Sequence, residues 1–100
     1  MEYKVINPQT NEILRDAIAT VASTHLIYFL YEIALRGSKQ YKIKYNYNYS
    51  NRQTIQFIDK QTKYIHEFTN VPTHVGLFDC EVLEQDIRAI YEKAYKGGEK

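Results

Sequence analysis

From Gln40 to Tyr49 the chain alternates: Tyr41, Ile43, Tyr45, Tyr47 and Tyr49 are interleaved with Gln40, Lys42, Lys44, Asn46 and Asn48. Successive strand side chains leave on opposite faces, so this pattern predicts a strand with one apolar and one wet face. Ser50, Asn51 and Arg52 supply a turn, and residues 54–59 return with Ile55 and Phe57 on one side. After a second turn over 59–63, Tyr64, His66 and Phe68 alternate with Ile65, Glu67 and Thr69. The three segments predict an antiparallel meander with one face apolar and the other wet. Residues 70–76 read as loop, because Pro72 cannot donate to a central ladder.

Two segments show helical spacing instead. Ile18, Val21, Ala22, His25, Leu26, Phe29, Leu30 and Ile33 recur at three- and four-residue intervals, predicting a helix over 17–35. Asp16 is the expected N-cap, and Gly37 after Arg36 the expected stop. Ile27, Tyr28 and Tyr31 lie off the main stripe, so this helix is expected to be buried on more than one side. A second helix is expected from an Asp79 cap to about Tyr95. Leu83, Ile87, Ile90, Tyr91 and Ala94 form its apolar stripe, and Glu84, Arg88, Glu92 and Lys96 face water.

Near the start, Tyr3 to Ile6 reads as a short strand. Asn7-Pro8-Gln9-Thr10-Asn11 is turn chemistry, and Ile13 and Leu14 return as a second strand, a reading preferred to a helix that starts at Thr10 or Asn11. The order is then ββαβββα. It predicts a two-layer α+β sandwich, an antiparallel sheet with two helices on one face. Residues 1–100 are expected to form one domain, with 97–100 frayed.

Charge adds something that the pattern does not. Thirteen basic and twelve acidic side chains give +1, yet residues 1–38 carry −1, 39–74 carry +4 and 75–100 carry −2. The near-neutral total conceals a basic middle, on the meander. A lone cysteine, Cys80, cannot form an internal disulfide, and zinc-ligand spacing is absent. With no signal peptide in view, a cytoplasmic, intracellular protein is expected. The helix over 17–35 is too interrupted by polar residues for a membrane span.

Candidate chemistry is thin. His25 and His66 sit at apolar positions and read as core histidines. His74 and Cys80 are a weak thiol pair, because Asp79 and Glu81 flank the thiol. Tyr91 and Tyr95 on one helix are similar to the tyrosines of rolling-circle replication nucleases. That resemblance implies a two-histidine metal site on a strand, where this chain offers only His66. No phosphate loop or Ser-His-Asp set occurs.

The expected function is therefore a small non-enzymatic binding or inhibitor module, with no cofactor or metal. It would act through a protein–protein surface around Lys42, Lys44, Tyr47, Tyr49 and Arg52. Nucleic-acid binding by the basic, tyrosine-rich segment 39–63 is the alternative. A homodimer through Ile27 and Tyr31 is expected from the broad apolar girth of the first helix. The abundance of Ile, Tyr, Lys, Asn and Phe, all read from A/T-rich codons, suits a protein encoded by a virus or mobile element as well as one encoded by a cell.

Overall fold

The computed structural model describes residues 1–18, 24–47, 52–72 and 81–95. Five strands and two helices follow the expected order: β1 (Glu2–Asn7), β2 (Glu12–Ile18), α1 (Thr24–Arg36), β3 (Tyr41–Tyr47), β4 (Arg52–Asp59), β5 (Ile65–Pro72) and α2 (Glu81–Tyr95). The strands form one antiparallel sheet in the order β2-β1-β5-β4-β3. It is a small α+β fold.

The first hairpin closes as its turn residues require. Asn11 adopts a left-handed φ of 59°, its N–H donates to Asn7 O at 2.7 Å, and Asn7 Oδ1 accepts from the Gln9 N–H. Its second strand is longer than expected. Asp16, Ala17 and Ile18 pair with Lys4, Tyr3 and Glu2, so Asp16 is a strand residue and caps no helix. The helical spacing misled at Ala17 and Ile18 because two residues fit either period. The ladder to β1 and the burial of Ala17 settle the choice. Leu14 is an extra residue between the pairs Val5–Arg15 and Ile6–Ile13, a bulge that breaks alternation along β2.

A second irregularity extends β5. Asn70 takes φ 55°, and the register shifts between the pairs formed by Gln53 and Ile55. The shift turns Val71 inward to complete burial, and Pro72 falls at the strand's last position, where a missing N–H costs little. Residues 70–72 are thus strand, where loop was expected.

The core lies between one sheet face and the helices. Tyr3, Tyr41, Ile55, Phe57, Phe68 and Val71 from the sheet meet Leu30 and Ile33 of α1 and Leu83, Ile87, Ile90 and Ala94 of α2. The α2 stripe is buried as its spacing predicts, apart from Tyr91, which is half-buried against Phe29 at 4.5 Å between ring centroids. Gly37, at φ 79°, closes α1 by donating its N–H to Ile33 O.

Two expectations about aromatic burial are corrected. Burial declines along β3 from Tyr41 through Ile43 to Tyr45, which is 46% exposed rather than part of the core. Among the described residues of α1, Tyr28 and Leu35 are open, at 66% and 85% exposed, while the off-stripe Tyr31 is half-buried against the core.

Candidate functional site

The two faces of the sheet have opposite chemistry. The helix-covered face is aromatic, with polar contacts among and beside its rings. Tyr3 stacks on Phe68 at 4.6 Å and lies hydrogen-bonded to His66, Oη to Nδ1, at 2.8 Å. Arg15 of β2 grips Asp86 of α2 with two bonds, Nε to Oδ1 at 3.1 Å and Nη2 to Oδ2 at 2.8 Å. Lys93 of α2 donates to Asp59 Oδ2, while Asp59 Oδ1 accepts from the Gln61 and Thr62 N–H groups.

The Arg15–Asp86 and Lys93–Asp59 pairs clamp α2 to the sheet. Burial pushes the Tyr3 and Tyr41 hydroxyls well above the usual tyrosine range, which leaves both protonated and unsuited to act as bases. Burial also lowers the His66 pKa, so the imidazole is neutral, and its Nδ1 shares a hydrogen bond with the Tyr3 hydroxyl. A depressed histidine pKa gives stability that is fully present above the ordinary value, about 6.5, and is lost as pH falls through the folded value. Urea midpoints should therefore be flat above that value and fall below it. In His66→Gln, which keeps a hydrogen-bonding partner for Tyr3, the histidine part of the fall should disappear, leaving only the loss at the lower pH where carboxylates protonate.

A groove of about 350 Å³ lies where the ends of α1 and α2 meet, lined by Arg36, Ser38, Lys39 and Tyr95 among others. Its two hydroxyls serve the fold: Ser38 Oγ donates to Ala94 O and Tyr95 Oη donates to Glu32 O. Among the described residues no group of three metal-ligating side chains converges, and no described helix is long and apolar enough to cross a membrane.

The other sheet face, turned away from both helices, is the site of interest. Residues directly opposite in an antiparallel pair project to the same side. Reading the register across all five strands gives one row of Ile13, Ile6, Ile65, Ile58 and Lys42. At strand spacing this row is about 19 Å long. The adjacent row is Asp16, Lys4, Glu67, Gln56 and Lys44, in which Gln56 Nε2 donates to Glu67 Oε2 at 2.6 Å. Beyond it, Ile18, Glu2 and Thr69 align, and Thr69 Oγ1 donates to Glu2 Oε2 at 3.4 Å. Ile13 and Ile18 are 52% and 64% exposed, and Ile6, Ile58 and Ile65 are half-buried by their neighbours.

The face expected to be wet is thus crossed by an apolar stripe. Strands β2, β1, β5 and β4 each contribute a single isoleucine to it, so no strand's own pattern reveals it. Only the register aligns them.

Of the five expected binding residues, Lys42 and Lys44 are exposed on this face, closing its two main rows at the β3 edge. Lysines on an edge strand also discourage sheet-to-sheet pairing there. Tyr47 is the last residue of β3, paired with Gln53; Arg52 opens β4, paired with Pro72. Tyr49 lies outside the described residues, as do His74, Asp79, Cys80 and residues 97–100. Ile27 falls within α1, where its side chain and that of His25 are outside the described set. Tyr31, the other expected dimer contact, is half-buried against the core, its hydroxyl pushed up to about 12 by burial and the nearby Tyr45.

Comparison with protein-family models, with curated proteins and with solved structures returns no match.

Proposed function

We propose that this chain is a small binding module that acts by contact through its open sheet face, with no chemistry of its own. The observation that supports this reading is the isoleucine row crossing the sheet and ending at Lys42. Four aligned isoleucines on a face left open by both helices are a surface that gains free energy when another protein covers it. The charged row beside them supplies orientation, since polar groups at the rim of an interface set register and suppress wrong partners.

Nucleic-acid binding is the second reading, carried by Lys42 and Lys44. A base-stacking platform needs aromatics beside its cations. The open face presents Ile, Lys, Gln, Glu, Asp, Thr and Asn among the described residues, while Tyr3, Tyr41, Phe57 and Phe68 are beneath the helices.

Capture from cells of the native host tests the reading, using the wild-type chain beside Ile58→Lys and Lys42→Glu/Lys44→Glu. A protein retained by the wild type and lost from both variants is the expected result. The same proteins on all three baits would contradict it. For the second reading, affinity for DNA or RNA should fall linearly in log–log form with salt; no binding at low salt removes it.

A further inference from the structure

The open face is not merely mixed in charge; it is polarised. Strands β2, β1 and β5 bring Asp16, Glu2 and Glu67 to it against Lys4 alone, while β3 brings Lys42 and Lys44 with no acid. Among the side chains described, the two halves cancel. A surface that is apolar along one row and opposite in sign at the two ends of the next, Asp16 and Lys44, is complementary to itself.

We infer that the open face is covered by a second copy of this chain, an inference that rests on the binding-module reading and names its partner. The arrangement is a β-sandwich of two such sheets, packed face to face about 10 Å apart with strands within about 30° of alignment. The two-fold axis runs parallel to the strands over β5, the central strand. It lays β1 over β4 of the second copy and β2 over β3.

Rows stay in register under that rotation. Ile65 meets Ile65 on the axis, Ile6 meets Ile58 of the second copy twice, and at the row's ends Ile13 lies over Lys42 of the second copy, whose aliphatic stem can cover it while the ammonium reaches the rim. In the neighbouring row Asp16 meets Lys44 of the second copy, also twice. The one like-charge approach is Glu67 to its own copy, and there Lys4 and Gln56 flank each carboxylate in the same row, with Gln56 already bonded to it. An axis perpendicular to the strands would instead oppose Lys42 to Lys42 at the rim, which disfavours it. A partner other than a second copy would need to match a basic and an acidic end together. The chain itself already supplies that match.

Sedimentation across low to high micromolar concentrations tests this with the full chain. The wild type should pass from monomer to dimer. Ile65→Lys, on the axis, should weaken association by at least about tenfold, and so should Asp16→Lys and Lys44→Asp singly, each of which sets like charges face to face. The double variant Asp16→Lys/Lys44→Asp re-forms both pairs with inverted sign and should recover to within about threefold of the wild type. All three substitutions are on the open face, and unchanged far-ultraviolet dichroism confirms that each variant folds. A dimer untouched by these variants, or single reversals that the double variant fails to rescue, overturns the inference. A monomer at every concentration also overturns it. If Ile58→Lys then still loses a captured protein, the binding-module reading stands without its second copy; if it loses none, both fall.

Discussion

Replacing Phe57 with alanine should remove roughly 3–5 kcal/mol of folding stability. Replacing Ile58, the next residue of the same strand, should remove about 1 kcal/mol. Phe57 is fully buried on the helix-covered face, with edge contacts to Tyr41 at 6.1 Å and Phe68 at 5.9 Å between centroids. Its truncation leaves a cavity between sheet and helices that neighbouring rings cannot collapse into without abandoning those contacts. Ile58 points to the open face and is half-buried by its own neighbours, so its loss forfeits only part of a side chain's transfer free energy. Urea denaturation of the two variants, with unchanged slope, reads the difference as a separation of midpoints. Equal losses would mean that β4 does not divide its faces as described.

Asp59→Ala should cost roughly 3 kcal/mol. Asp59 is 3% exposed, and burial alone would raise its pKa. The hydrogen bond from Lys93 and those from the Gln61 and Thr62 N–H groups more than offset burial, holding the carboxyl below its ordinary value. Removing the carboxylate leaves the Lys93 ammonium without its acceptor and opens the turn that joins β4 to β5. Lys93 is about a third exposed and can reach water, which keeps the loss at the lower end for a broken buried pair. The pH dependence follows in sign. A depressed carboxylate pKa gives stability that is present above the unfolded value, about 4, and is lost as pH falls through the lower folded value. The wild type should therefore lose stability over that acid window, and Asp59→Ala should lose correspondingly less. Urea midpoints against pH for both proteins measure it, and parallel curves would show that Asp59 carries no such linkage.

Much of the fold was legible because period carries it. The alternation from Tyr41 onward located β3, and the three- and four-residue spacing of Leu83, Ile87, Ile90 and Ala94 found the buried face of α2. Boundaries were less legible where two residues satisfy both periods. Ala17 and Ile18 belong to β2 because Tyr3 and Glu2 lie opposite them, and that pairing is remote in sequence. The bulges at Leu14 and Asn70 interrupted alternation where the chain was still a strand. Asn70 did offer a signal, since asparagine tolerates the left-handed conformation that such a bulge uses.

The candidate site was half legible for a related reason. Lys42 and Lys44 stood out in their own strand, and both are on the open face. Ile6, Ile13, Ile58 and Ile65 did not stand out, because each looks like one stray apolar residue on a wet side. Register is a relation between strands, and a one-dimensional period cannot contain it. The alternating tyrosines point to the β3 edge and the apolar girth of the first helix points to α1, while the larger apolar alignment forms across β2, β1, β5 and β4.

The most direct measurement of the central claim is photo-crosslinking in the native host. One chain carries a photoreactive residue at position 56, in the charged row beside the isoleucines. A second carries it at position 35, on the exposed flank of α1. Covalent adducts from position 56 and none from position 35 are the predicted result. Adducts from position 35 alone would contradict the account and place the working surface on the helix.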